Sequence, residues 1–260
     1  SRRIVDFQEK PEVPEPTPED PARCLASMGI YLFNTRFLFE ELCRDATIPG
    51  SAHDFGKNII PSLIARANIR AFPFRDKNTG EGHYWRDVGT IDAYYEANMH
   101  LLDPRPSIAL NNRDWPIHTR MKNSLPAQFV CDSLGHSGLA SDCIVASGCI
   151  LRGSRVRHSL LFSDVSVSEQ TLIDNSLVLP GAVIGKRCRI RNAIIDSGTH
   201  VTDDSEIGYD RHLDELRYSV SKLGIAVVSP AANSAPHTQS HSFSNHPSLH
   251  KTINGSLPVS

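Results

Sequence analysis

"IVASGCILRGSRVRHSLLF", residues 144–162, decides the fold. No helical period runs through it, but counting by six gives Ile144, Ile150, Val156 and Phe162. A second ladder, displaced by three, continues through Val165, Thr171, Leu177, Val183, Arg189, Ile195, Val201 and Ile207. Ten of these twelve positions are apolar, against 40% hydrophobic residues in the whole chain. Small residues follow the ladder at Ser147, Gly148, Gly153 and Gly181, where tight corners need them. A period of six predicts a parallel β-helix built from hexapeptide repeats, each hexad a short strand plus a corner, with the ladder side chains stacked inside. The displacement after Phe162 predicts an irregular corner or small loop there.

Working outward, residues 139–228 are expected to form a left-handed β-helix domain with a closing segment. Residues 229–260 are rich in Ser, Pro, Asn and His with few apolar anchors, the composition of a disordered tail. Its His237, His241, His246 and His250 are irregularly spaced and lack carboxylate or thiol partners, so they read as tail rather than metal site. Residues 104–138 are punctuated by proline ("DPRPS", "DWPIH", "SLPAQF") and read as a connector.

Residues 1–103 alternate strand-like and helix-like text, which gives a mixed α/β class. "RRIVDF" is a strand candidate, followed by the Pro-rich loop "PEVPEPTPEDPAR". In "LASMGIYLFN" the alternation puts Met28, Ile30 and Leu32 on a core face, with Ser27, Gly29 and Tyr31 on a small, polar face able to admit a ligand. "FLFEELCRD" and "HDFGKNIIPSLIARAN" read as helices, the second broken near Pro61. "IRAFPFRD" and "HYWRDV" read as strands joined by "KNTGEG". In "HYWRDVGTIDAYYEANMHLL", residues 83–102, Thr90 is a helix N-cap and Asp92 sits in the first turn, where the helix dipole favours a carboxylate. Ile91, Tyr95, Met99 and Leu102 recur at helical spacing and form an apolar face. Asp87 lies outside the cap, close to Gly89, and the helix alone does not explain it.

Bulk properties exclude several classes of partner. With 27 basic and 29 acidic side chains, a formal net charge of −2 favours neither nucleic acid nor an anionic membrane surface. No apolar run approaches the roughly 20 residues of a membrane span. The six cysteines contain no C-x-x-C pair and read as reduced thiols, with a cytoplasmic location expected. The chain opens on Ser1 and at once in strand-like text, as a fragment would.

Taken together, "FQEKP", "ASMGIYLFN", "HDFGKNIIP", "YWRDVGTIDAYYEAN", "RDWPIHT" and the hexad array resemble, in order, the sugar-1-phosphate nucleotidylyltransferases. Within them the chain is similar to the ADP-glucose pyrophosphorylase (glucose-1-phosphate adenylyltransferase) family, which commits glucose to glycogen or starch. The resemblance covers residues 2–228 and implies the C-terminal part of a Rossmann-like nucleotidyltransferase domain followed by the β-helix. The family's glycine-rich ATP phosphate loop, and the first of its two metal-binding aspartates, have no counterpart in these residues. The implied reaction is attack of a glucose 1-phosphate oxygen on the α-phosphorus of ATP, with Mg²⁺ as cofactor, and the 260 residues alone are expected to be inactive.

Carried over residue by residue, the resemblance makes Lys10 the clamp on the sugar phosphate and Glu9 the acceptor of glucose hydroxyls. It places Ser27 on the glucose and makes Asp87 the second magnesium ligand. Trp85 would lie beside the sugar, with core packing as the alternative reading, and Arg86 would only orient Asp87. The family also implies a metabolite effector and a homotetramer. Arg113, Arg120, Arg189 and Arg191 are candidates for the effector by location only. Two alternatives stay open: a UTP- or GTP-dependent relative with a β-helix, including a bifunctional uridylyl- and acetyltransferase for which His158 would be a candidate, and a non-catalytic regulatory subunit of the same fold.

Overall fold

A computed structural model describes residues 3–17, 20–75, 82–106, 108, 110, 116–118 and 123–230. The chain divides into two compact units, Ser1–Trp85 and Arg86–Ser260.

In the first unit, helix α1 spans Thr35–Ala46, capped by the Asn34 side chain, which accepts from Phe37 N. Glu41 turns inward from α1 and is compensated by Arg66, whose guanidinium donates to both carboxylate oxygens at 2.9 and 2.7 Å. The expected break near Pro61 takes the form of a wide turn. Asp54 caps a π-helical turn, Phe55–Ile59, which passes into a short helix α2, Ile60–Leu63. A widened turn relieves the clash that a proline ring otherwise makes with the carbonyl one turn back. Ile59, Ile60 and Leu63 supply the buried apolar side chains of this unit.

The strand-like segments of the first unit are extended but form no ladder among the described residues. Only the bridges Arg3↔Arg70, Thr17↔Asp20 and Arg75↔Gly82 occur. The face of "LASMGIYLFN" expected to be core is the open one, with Ile30 74% and Leu32 102% exposed. An extended segment buries a face only when a neighbour lies over it. Here the opposite face finds the partners, as Tyr31 stacks on Phe55 with ring centroids 5.6 Å apart.

The second unit is a parallel β-helix of three sheets. The first sheet contains Gln128–Val130, Ile150–Arg152, Ser166–Val167, Val183–Ile184 and His200–Val201. The second contains Leu139–Ser141, Arg155–Arg157, Leu172–Asp174, Arg189–Arg191 and Glu206–Ile207. The third contains Ile144–Val145, Leu160–Leu161, Leu177–Val178, Ala193–Ile195 and Ala226–Val228, edged by the antiparallel Ser219–Val220. The inward columns are Leu151–Val167–Ile184–Val201, Val156–Ile173–Ile190–Ile207 and Leu161–Val178–Ile195–Val228. Burying each such side chain is worth about 1.5–3 kcal/mol.

The coil is not three full hexads. Val156, Ile173, Ile190 and Ile207 stand seventeen apart, because the step from the second sheet to the third takes five residues (Val156 to Leu161, Ile173 to Val178, Ile190 to Ile195). A strict count of six therefore drifts by one residue per coil, and by two between Leu151 and Val167, where the step Leu151 to Val156 also takes five. Val156, Val165, Ile195, Val201 and Ile207 of the expected ladder do lie in the inner core, while Ile144, Ile150, Phe162 and Val183 are half-buried and Arg189 is exposed beside Glu206. Thr171 is buried at a corner, where its hydroxyl donates to Gly185 O at 2.7 Å and accepts from Cys188 N at 3.0 Å. The irregular corner expected after Phe162 is absent. Asp164, at φ +62°, takes the same left-handed place that Gly148, Gly181 and Gly198 occupy in the other coils. The real excursions are residues 131–138 and 208–225, the latter carrying a short helix, Arg211–Glu215.

The five-residue corner is turned by Asp142, His158, Asn175 and Asn192, all at φ between +41° and +53°. Asn, Asp and His are the non-glycine types that tolerate this region. They pair along the column: Asn175 Nδ2 donates to Asn192 Oδ1 at 3.2 Å, and His158 Nδ1 bonds the Asp142 carboxylate. His158 thus has a structural post.

The outer face of the third sheet is covered too. Helix α3, Ile91–Met99, lays Tyr95 and Met99 on Leu160, Leu177, Ile194 and Ile225, with Ile91 and Leu102 at the margin. The apolar face expected from Ile91, Tyr95, Met99 and Leu102 is the one used. Leu177, expected inside the coil, is fully buried under this helix instead.

Candidate functional site

Candidate residues occur in both units. In the first, Glu9 and Lys10 lie side by side, Lys10 Nζ 4.0 Å from Glu9 Oε1. The Lys10 side chain is 90% exposed and its backbone takes φ +48°, so the ammonium swings in solvent from a bent loop. The Glu9 carboxylate folds back over the backbone of Gly56 at the start of the π-helical turn. Asp54 Oδ1 accepts from Gly56 N at 2.8 Å and Lys57 N at 2.9 Å, which fixes that turn. Phe55 stacks on Tyr31, and Tyr31 Oη lies 3.1 Å from Ser27 Oγ. Ser27 Oγ also accepts from Gly29 N at 3.2 Å, where Gly29 at φ +69° bends the chain toward it.

The structure thus links Glu9, Lys10 and Ser27 through residues 54–56 and Tyr31. Sequence reading placed Ser27 and Tyr31 on one face but assigned no role to Asp54, Phe55 or Gly56. The only local signal was the unusual run Asp-Phe-Gly ahead of an apolar helix start. Trp85, the last residue of the first unit, is 45% exposed and so is not a core tryptophan.

Asp87 belongs to the second unit. It is exposed, and its Oδ1 accepts from Gly89 N at 3.0 Å, closing a turn that leads into the cap of α3. Thr90 Oγ1 then accepts from Ala93 N at 3.1 Å, as expected of an N-cap. Asp87 Oδ2 carries no hydrogen bond among the described residues, and no cluster of three or more His, Cys, Asp or Glu able to hold a metal occurs among them. Among the described residues Asp87 is thus a single carboxylate with one oxygen oriented by the turn and the other open. Arg86 does not orient it. Its guanidinium turns to Glu96 and to His100 Nδ1, the latter at 3.0 Å, both at the far end of α3. The end of this motif is anchored deeply: Tyr95 Oη donates to Asn175 O in the solenoid corner at 2.6 Å.

Of the arginines expected near an effector, Arg113 and Arg120 lie outside the described residues, as do the tail histidines. Arg189 and Arg191 are exposed on the second sheet, with their guanidinium carbons 4.2 and 4.3 Å from the centroid of the Tyr209 ring. All six cysteines are free. No helix among the described residues is long and apolar enough to cross a membrane.

Residues 1–104 match the family described as nucleotidyl transferase, and residues 125–228 the GlmU-like C-terminal hexapeptide family. The chain is similar to the glucose-1-phosphate adenylyltransferase of Shewanella sp. (strain W3-18-1), at 46% identity over 227 residues, 87% of this chain and 54% of that protein. The protein of the same name from Rhodopirellula baltica is 45% identical over 254 residues, 94% of this chain and 57% of its own length. That from Teredinibacter turnerae is 47% identical over 229 residues, 88% and 54% respectively. The chain spans about half the length of the curated relatives it matches.

Proposed function

We propose that this chain, which is similar to glucose-1-phosphate adenylyltransferases over most of its length, carries the sugar-phosphate side and one metal carboxylate of a site that converts ATP and α-D-glucose 1-phosphate to ADP-glucose and diphosphate. The observation that supports this reading is the Glu9 carboxylate folded over Gly56 beside Lys10, with Ser27 joined to the same turn through Tyr31 and Phe55. Two anions must meet in this reaction, so charge neutralisation and alignment supply most of the acceleration. Lys10 clamps the sugar phosphate as a mobile point charge. Glu9 accepts from glucose hydroxyls and Ser27 hydrogen-bonds the sugar, which together aim the phosphate oxygen. Asp87 would hold Mg²⁺ through the Oδ2 left free by the turn. When bound, that cation neutralises phosphate charge as the diphosphate leaves. The 260 residues by themselves form no ADP-glucose, since they include no glycine-rich phosphate loop. A metabolite effector and a homotetramer belong to the same proposal, the paired guanidinia around Tyr209 being suited to an anionic metabolite.

Steady-state kinetics test it in an enzyme carrying this chain at the full length of its relatives. Lys10 holds ground state and transition state alike, so Lys10→Ala raises KM for glucose 1-phosphate sharply with a much smaller change in kcat. Asp87→Asn keeps shape but removes charge, so kcat falls by orders of magnitude. Near-normal kcat in Asp87→Asn overturns the metal role and leaves Asp87 as a turn residue only.

A further inference from the structure

We infer that Gly56 is a positioning residue for the sugar site: its missing side chain is the space in which the Glu9 carboxylate is held. A Cβ built on Gly56 would stand 2.2 Å from Glu9 Oε2 and 3.0 Å from Glu9 Cδ, well inside van der Waals contact. No positive φ explains the glycine, unlike Gly29 or Gly50, so backbone conformation does not demand it. The turn is fixed from the other side by Asp54, which ties down Gly56 N and Lys57 N. The backbone is therefore held in place while the glutamate end is the part that can move.

That asymmetry separates position from stability. An alanine at 56 displaces the far end of a flexible side chain, a small cost to the fold, and alanine is the better residue in a helical turn. The whole penalty falls on where the carboxylate points. This inference rests on the reading of Glu9 as a ligand of the glucose hydroxyls, and it adds a second residue that sets affinity without touching the sugar.

The test is isothermal titration of glucose 1-phosphate into an enzyme carrying this chain at the full length of its relatives, with melting temperature measured on every variant. Glu9→Ala weakens binding by about tenfold or more, the worth of hydrogen bonds to a charged acceptor. Gly56→Ala weakens binding by a similar factor with an unchanged or slightly raised melting temperature. Gly82→Ala, where an added Cβ meets nothing within 4 Å, binds as the parent does. Aspartate is shorter by one methylene, about 1.5 Å, and clears the alanine. The double variant Glu9→Asp/Gly56→Ala therefore binds like Glu9→Asp alone, whereas independent effects would multiply. If Glu9→Ala binds poorly and Gly56→Ala binds normally, the positioning role is wrong and the sugar role of Glu9 stands. If Gly56→Ala lowers the melting temperature and its effect multiplies with that of Glu9→Asp, the glycine is merely structural and the inference is overturned. Normal binding by Glu9→Ala, or none by the parent chain, overturns the sugar reading of Glu9 and the inference with it.

Discussion

Tyr95→Phe removes a single oxygen from the seam between α3 and the β-helix. Tyr95 is 9% exposed, and its hydroxyl donates to Asn175 O at 2.6 Å, at the corner where the coil takes its left-handed turn. Phenylalanine fills nearly the same volume, so the change reports the hydrogen bond rather than a cavity. A typical intramolecular hydrogen bond contributes about 0.5–1.5 kcal/mol, so the loss is about 1 kcal/mol. For a unit of this size that lowers the melting temperature by about 2–4 °C. The pH dependence gives a second signature. Burial, and after it the nearby Asp174 carboxylate, push the Tyr95 phenol up from its ordinary 10 to about 12. A folded-state pKa raised above the unfolded one means that the contribution is fully present below pH 10. It is lost as pH rises toward about 12, because the unfolded chain ionises first. The phenylalanine variant has no proton to lose there. Its deficit against the parent is therefore constant from pH 7 to 9 and shrinks between pH 10 and 12. Thermal unfolding followed by circular dichroism across that range makes the measurement. A variant as stable as the parent at pH 8, or a deficit that does not change with alkaline pH, refutes the claim that this hydroxyl is buried and bonded at the seam.

The same seam predicts that Leu177→Ala, fully buried beneath α3, loses about 2–5 kcal/mol in urea unfolding. An exposed-surface cost below 0.5 kcal/mol would mean that α3 does not cover the sheet. At the five-residue corner, Asn192→Ala forces a β-carbon into φ +46° and costs about 1–2 kcal/mol, while Asn192→Gly melts close to the parent. Equal losses for the two would show that the side-chain bond with Asn175, not the backbone, is what the corner needs.

The solenoid was legible because its repeat is written into neighbouring residues, and a six-residue apolar period survives modest drift. Which residues point inward was less legible. One residue is omitted per coil at the corner of His158, Asn175 and Asn192, so Val183 and Ile184, or Ile150 and Leu151, exchange roles when the count is kept strict. The polar residues at those corners carried the information, since three of the four are Asp or Asn, but the signal concerns φ rather than hydrophobicity. Helix α3 was readable from Thr90 to Leu102 because cap and apolar face are both local. The reverse held for Met28, Ile30 and Leu32. Alternation identifies two faces of an extended segment, but only neighbouring chain decides which is covered, and here Phe55 selects the face of Tyr31. Gly56 was invisible for the same reason. Its meaning lies in Glu9, forty-seven residues earlier, and composition carries no record of that approach.

The order of residues in "YWRDVGT" follows from what its two ends must do. Under the proposed metal role the polar end has to leave one carboxylate oxygen free, and Asp87 does so by accepting from Gly89 N with the other. A glycine two residues on keeps the carboxylate close to the backbone, since an added Cβ at Gly89 would lie 3.2 Å from Asp87 Oδ1. The helical end has to keep that turn from wandering. Thr90 starts the helix, Tyr95 and Met99 bury themselves on the third sheet, and Arg86 reaches along α3 to Glu96 and His100. A solenoid core is rigid because every coil is bonded to the next, so the helix lying on it inherits that rigidity. Asp87 thus stands a few residues from one of the least deformable parts of the chain. In the first unit, Lys10 sits on a bent, exposed loop. Under the proposed roles those opposite placements suit opposite tasks: an ammonium that follows an arriving phosphate has to move, while a carboxylate that orients a cation against developing charge has to stay still.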